Sequence, residues 1–420
     1  MSIQLAEGVQ LHVLPTKKYK TVQMVVKLRT PLDKKSITKR ALLSSLLETN
    51  SEKYPTQTAL RSELSNLYGA SFGTSISKKG TSHILSIGLN VVNEKYLTMG
   101  DSVLKEAIAF LKEIIFKPNA TDGHFDEETF RREKENLNDY YDSIADDKQT
   151  YASLELQHLF FDDEGQQTPS IGTKEDLIEI TAVDLYHYYQ KALKEDQVDI
   201  YVLGDVEKEQ IEEQFKLFPF EARNIAKQEA FYATETFEKV VSKIEEQDIT
   251  QAKFNLGYAT NIFYHQKNYY AGQVFNGLFG GFPHSKLFMN VREKESLAYY
   301  ASSSLDTFRG MMSVQTGIES KKVDQVKEII TMQLKEMQAG NFTDEALNQT
   351  KEMLKNQLLQ SEDHSGAIIE RMYANQMAIG KVINLEEWIA DIEAVTTEQV
   401  IEVANQVKLK ATFFLSGEVN

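Results

Sequence analysis

The sequence predicts an α+β fold in two homologous domains, each a mixed or antiparallel sheet with helices packed on one face. Three observations carry this. A chain of 420 residues exceeds one ordinary core, since domains run to about 100–200 residues. Its apolar pattern switches repeatedly between a period of two and a period near 3.6, so strands and helices alternate. The same order of landmarks also occurs twice, as self-similarity at a long fixed offset requires of a duplicated chain.

The landmarks lie at nearly constant separation. "DIYVLGDV" (199–206) and "TFFLSGEV" (412–419) read as buried strands ending in turns, with Gly204 and Gly417 213 residues apart. Before them come "ITAVDLYHYYQKAL" and "VTTEQVIEVANQVKL", where Thr181 and Thr396, 215 apart, stand as N-caps of helices, a threonine oxygen being suited to the first free N–H groups. Further upstream "FDEETFRREKENL" and "FTDEALNQTKEML" begin at Phe125 and Phe342, 217 apart. Both have acidic first turns, which the helix dipole favours.

Each element then follows in order. "GVQLHVLPT" and "TVQMVVKLRT" alternate as half-buried strands, a helix starts near Ser36, the amphipathic run "TQTALRSELSNLYGASF" follows, and "SHILSIGLNVV" is a strand. The second half repeats this from about Gln251 with "AKFNLGYAT", a helix from about Tyr269, and strands near Leu297 and Met312. "FPFEARNIAKQEAFYATETF" has no sustained period, so the expected division is 1–217, a linker over 218–240, and 241–420.

Composition narrows the function. With 41% apolar residues the chain is globular, and with no cysteine it has neither disulfides nor thiolate ligands, which fits a reducing, cytoplasmic setting. The amino terminus lacks a basic segment followed by an apolar core, and no run of about 18 apolar residues forms a membrane span. A net charge of −16 disfavours nucleic acid as a partner.

The most distinctive stretch is "FNGLFGGFPHSKLFMNVREKESLAYYASSS", residues 275–304. Together with the two-fold repeat, "GGFPHSKLFMNVREKESLAYY" resembles the insulinase-like, or pitrilysin-type, zinc peptidases, especially small bacterial members related to mitochondrial processing peptidase. The resemblance covers almost the whole chain. It implies half of a clamshell around a chamber for unfolded peptide, and a substrate-binding pair at Arg292 and Tyr299. An arginine fork and a phenol on a rigid ring suit the carbonyls of an extended backbone. From residue types alone, Arg292 paired with Glu293 or Glu295 and Tyr299 in the strand core is the commoner outcome. Gly280 and Gly281 add a loop that permits positive φ and close approach of a ligand backbone, with Ser285 as an N-cap beyond it.

The family's zinc signature is HxxEH on a helix, followed by a Glu on a later helix. Here the corresponding helix reads "TKRALLSSLLETNSEKYPTQ" (38–57), and no histidine lies between His12 and His83. On Leu43–Leu47, or one residue away, apolar side chains and serines replace the ligands, and Glu48 alone is acidic. The later Glu is expected near Tyr140, whose neighbours Asp139 and Asp142 would make a poor zinc site without histidine. Glu155 and His158 form one unpaired ExxH, no carboxylate partner can be placed for His284, and the acids clustered beside His124 in "HFDEETF" are those expected at a helix start, so neither metal nor cofactor is expected. The expected function is a non-catalytic subunit that pairs with an HxxEH-bearing homologue, or with itself, and helps hold peptide. The alternative is a non-proteolytic scaffold of the same fold in a modification or export pathway; a self-sufficient hydrolase has no motif behind it.

Overall fold

The computed structural model describes residues 2–97, 102–225, 228–233 and 236–417. Positions 226, 227, 234 and 235 of the expected linker, and Glu418 and Val419 of the second repeat, lie outside the described residues. The chain divides into two compact units: Met1–Asp142 with Thr168–Gln228 and Ser365–Ile369, and Ser143–Gln167 with Glu229–His364 and Glu370–Asn420.

In the first unit six strands lie in the order Ser2–Ala6, Val9–Pro15, Gln197–Gly204, Thr21–Pro31, Ser82–Val92 and Ser71–Lys79. Only Val9–Pro15 and Gln197–Gly204 run parallel; the other neighbours are antiparallel. Gly8, at φ 74°, makes the tight turn between the first two strands, and a Cβ there would lie 2.4 Å from the Arg223 side chain. One sheet face presents Val26, Leu85, Ile200 and Val202 to Leu42 and Leu46 of helix Lys34–Thr49 and to Ile108 and Leu111 of helix Val103–Phe116, in a single core.

The second unit has five strands, in the order Ala298–Asp306, Met311–Ile318, Ala252–Ala259, Lys408–Ser416 and Val241–Glu246. Again one pair is parallel, here Lys408–Ser416 with Val241–Glu246, and the rest are antiparallel. Gln197–Gly204 and Lys408–Ser416 therefore hold the same place, each between a parallel and an antiparallel neighbour. The caps repeat too: Thr181 Oγ accepts from Asp184 N at 3.1 Å, and Thr396 forms a reciprocal capping box with Gln399.

The linear division differs from the observed units at one instructive place. Helix Lys148–Phe160 belongs to the second unit, where Ala152, Leu156 and Phe160 pack on Met311, Ala411, Phe413 and Leu415. The alternate residue Phe414 faces the opposite core with Leu256, Val314 and Val400. This second sheet thus carries helices on both faces, beyond the single face expected, and "ATFFL" reads as a continuous apolar run because both sides of its strand are buried. Helix and sheet come so close that a Cβ on Gly257 would sit 2.9 Å from the Phe160 ring. Among the described residues no helix is long and apolar enough to cross a membrane.

Arg40, with no exposed surface, ties the first unit together. It donates to Asp196 Oδ2 at 2.5 Å, to Tyr188 Oη at 3.1 Å and to the Leu28 carbonyl at 2.6 Å. Arg40→Ala is expected to cost about 3–5 kcal/mol in urea unfolding, since it strands a buried carboxylate. Arg40→Met combined with Asp196→Ala should cost less than Arg40→Ala alone.

Candidate functional site

The segment singled out from sequence sits in the second unit. Helix Tyr269–Asn276 widens into a π-helical turn at Gly277–Gly281, and a second π-helical stretch, Phe288–Lys294, precedes strand Ala298–Asp306. Such turns are uncommon and concentrate at functional sites. Ser285 is the expected cap, its Oγ accepting from Phe288 N at 3.4 Å. Arg292 lies at 44% side-chain exposure, its Nε 3.6 Å from Glu293 Oε1 and its guanidinium 4.7 Å from the Phe288 ring centroid. The ring holds the planar fork flat without using its N–H edges.

Tyr299 is not strand core: it is 64% exposed. The ladder with Met311–Ile318 slips between Ala298 and Tyr300, so Tyr299 stands on a bulge, and Ser296 before it takes φ 50°. A bulge re-aims a side chain at a sheet edge, and Ala298–Asp306 is an edge strand. The glycines act differently from the expectation. Neither has positive φ. Gly280 is buried, and a Cβ on it would meet Ser303 Oγ at 2.6 Å; on the exposed Gly281 it would meet Asn276 Nδ2 at 2.9 Å. Close approach at these two positions is therefore to the chain's own strand and helix. His284 is half-buried, with Nε2 2.7 Å from Thr350 Oγ1, and burial holds its pKa below the usual histidine value.

Leu43 and Leu47, the ends of the expected zinc window, are buried in the core of the first unit, and the side chains that open on a cavity stand two residues further along the helix. Ser45, Glu48 and Thr49, spaced i, i+3 and i+4 as in HxxEH, line a cavity of about 300 Å³ together with Arg61, Phe72 and Glu133. Glu133, 8% exposed, brings a carboxylate to this cavity from helix Glu127–Asp146, whereas Tyr140, near which the later Glu was expected, is half in solvent. The readable signal was an acid on an apolar stripe, since Thr129, Phe130, Glu133 and Leu137 form the buried face of helix Glu127–Asp146.

These donors do not fit zinc. Thr49 Oγ1 donates to its own helix at the Ser45 carbonyl, 2.9 Å away, and Ser45 Oγ turns to the Ala41 carbonyl at 3.4 Å. Glu48 Oε2 is held by the backbone N and Oγ1 of Thr74, at 2.9 and 2.7 Å. Glu133 accepts from Arg132 Nε at 3.1 Å and from Asn136 Nδ2 at 3.2 Å. Two carboxylates already bonded, two hydroxyls and a cation on the wall lack the nitrogen ligands that zinc sites use. Among the described residues no group of three or more His, Cys, Asp or Glu could hold a metal. Glu155 in particular pairs with Lys243 at 2.6 Å, and His83 is buried, its pKa pushed down to about 3 by desolvation.

A duplicated α+β chain with a histidine-free zinc window defines a peptidase-like protein of metallopeptidase descent, and the comparisons agree. A family model described as the peptidase M16 inactive domain matches residues 179–354. The probable inactive metalloprotease YmfF of Bacillus subtilis is 39% identical over 413 residues, covering 98% of this chain and 96% of that one. The uncharacterized zinc protease YmxG of the same organism is 29% identical, covering 67% of this chain and 69% of that one. Among solved structures, a conserved protein from Enterococcus faecalis V583 superposes with TM-score 0.96 at 52% identity, covering 100% and 99% of the two chains. The peptidase M16 inactive domain from Pseudomonas fluorescens shares the fold at TM-score 0.81 and 17% identity, covering 100% and 98%. The chain belongs to the M16 peptidase family.

Whether this cavity can hold a zinc site is testable by building one there. Ser45→His with Thr49→His, beside Glu48 and Glu133, should take up stoichiometric zinc in metal analysis where the parent chain takes none. Leu43→His with Leu47→His should instead unfold the first unit, because both leucines are buried in its core.

Proposed function

We propose that this chain is a catalytically silent M16 subunit. It pairs with an HxxEH-bearing homologue, or with a second copy of itself, and contributes Arg292 and Tyr299 to the holding of an extended peptide. The observation that supports this most is a contrast between the two units: the zinc-window donors are turned onto the chain's own backbone and neighbours, whereas the Tyr299 phenol stands exposed on an edge bulge. In this reading the chain works in the cytoplasm, and any proteolysis is carried by the partner's zinc.

The non-proteolytic scaffold is the second reading. The Arg292–Glu293 contact and the packing of Gly280 against Ser303 favour it, because they give part of the same segment a purely internal role. The two readings separate on one set of variants. In the reconstituted pair, Arg292→Ala should lower kcat/KM about ten- to a hundredfold, the loss of roughly 1.5–3 kcal/mol of charged hydrogen bonding. Tyr299→Phe should cost nearer ~1 kcal/mol, with melting unchanged because an exposed side chain contributes within about 0.5 kcal/mol. Full activity in the double variant would remove peptide holding and leave the scaffold.

A further inference from the structure

The duplication leaves one position in the second sheet unfilled. In the first unit the strand parallel to the repeat's final strand, Val9–Pro15, is covered on its outer side by the antiparallel strand Ser2–Ala6. Its counterpart Val241–Glu246 ends the second sheet, and among the described residues no strand lies beyond it. Val9, Leu11 and Val13 are buried, whereas Ile244 is 71% exposed, with Val240 and Val241 exposed beside it.

The other three sheet edges carry devices that block pairing. Ser2–Ala6 and Ala298–Asp306 are each interrupted by a register slip, and on Ser71–Lys79 the Thr74 N–H is taken by Glu48. Bulges and blocked N–H groups are how natural edges avoid addition of a further strand. Val241–Glu246 has neither: its ladder to Lys408–Ser416 is regular over all six residues. Gln247 N donates to the Ser416 carbonyl at 3.0 Å. By the alternation of a parallel ladder, the odd-numbered residues 241, 243 and 245 bond inward, and Ser242, Ile244 and Glu246 turn their N–H and C=O outward.

We propose that this edge pairs with the same edge of a second copy, as an antiparallel two-fold ribbon with Ile244 on the dyad. Two identical edges related by a two-fold axis meet antiparallel without further adjustment. The outward groups restrict the register, and the charges choose within it. Centring on Lys243 or on Glu245 would set like charges face to face, which is destabilising. Centring on Ile244 makes Ile244 with Ile244, and Ser242 with Glu246, hydrogen-bonded pairs. Lys243 and Glu245, which also pair within their own copy, Lys243 with Glu155 at 2.6 Å and with Glu245 at 3.0 Å, then face their counterparts across the seam in the closer non-bonded position. The contact is small and gives a weak, reversible dimer.

A chain without cysteine allows a direct test. Hydrogen-bonded antiparallel pairs place Cα atoms about 5.5 Å apart, within disulfide range. Ile244→Cys treated with diamide should therefore give a covalent dimer on a non-reducing gel, while Ser242→Cys, which faces Glu246, should stay monomeric. In sedimentation equilibrium the parent should associate reversibly, and Ile244→Lys should weaken association at least about tenfold with an unchanged melt. A parent that stays monomeric at the highest attainable concentration overturns the proposal, as does equal cross-linking of the two cysteine variants. Protection of the Ser242, Ile244 and Glu246 amides from hydrogen exchange only on adding another protein or a peptide would assign the edge to that occupant instead.

Discussion

The first unit depends on a charge that has been taken wholly out of water. Arg40 projects from helix Lys34–Thr49, the helix that bears the zinc window, and its guanidinium spans from the Leu28 carbonyl in one strand to Asp196 at the entry to another. Desolvation alone would lower its pKa, but Asp196 and then Tyr188 more than reverse this, so Arg40 is held charged above the ordinary arginine value. The Asp196 carbonyl also accepts from Arg223 at 2.8 Å, whose own backbone N donates to the Glu7 carbonyl. One ion pair thus fixes a helix, two central strands and the first turn of the sheet. An apolar contact could supply similar stability without specifying direction, whereas the planar fork accepts only one arrangement of three acceptors. The window helix is held in position by this interaction, independently of any metal at its far end.

That independence is visible in what replaced the ligands. Ser45 and Thr49 return their hydroxyls to their own helix, as such residues do in helix interiors, so neither hydroxyl is left unpaired. Glu48, one residue before Thr49 on the same cavity wall, covers an N–H of edge strand Ser71–Lys79. Once the histidines are absent, an unneutralised carboxylate in a cavity is costly, and a backbone donor on the nearest edge is the available partner.

How much of this was legible in the sequence follows from the range of each interaction. The repeat was legible because caps, acidic first turns and strand-ending glycines are local signals, and Thr181 and Thr396 announce their helices without reference to anything distant. The absence of zinc ligands was legible by residue type. The ownership of Lys148–Phe160 was not, since an apolar stripe of Ala152, Leu156 and Phe160 says that a helix is covered and not which sheet covers it. Glu133, the carboxylate that lines the cavity, was missed because the later Glu was looked for near Tyr140, although the buried stripe of its helix passes through 133. The bulge at Tyr299 was invisible, as register is decided by the partner strand.

The two halves have therefore diverged most at their margins. Their central strands keep one order and one mixture of parallel and antiparallel pairing, because a slip of one residue would turn every core side chain to the wrong face. Edges bear no such penalty and can be rebuilt singly. One is filled by Ser2–Ala6, one is capped by Glu48, and one is bulged at Tyr299. The regular ladder of Val241–Glu246 belongs to the same process, and it is the edge at which duplication supplied a template for a further strand and, among the described residues, no strand fills it.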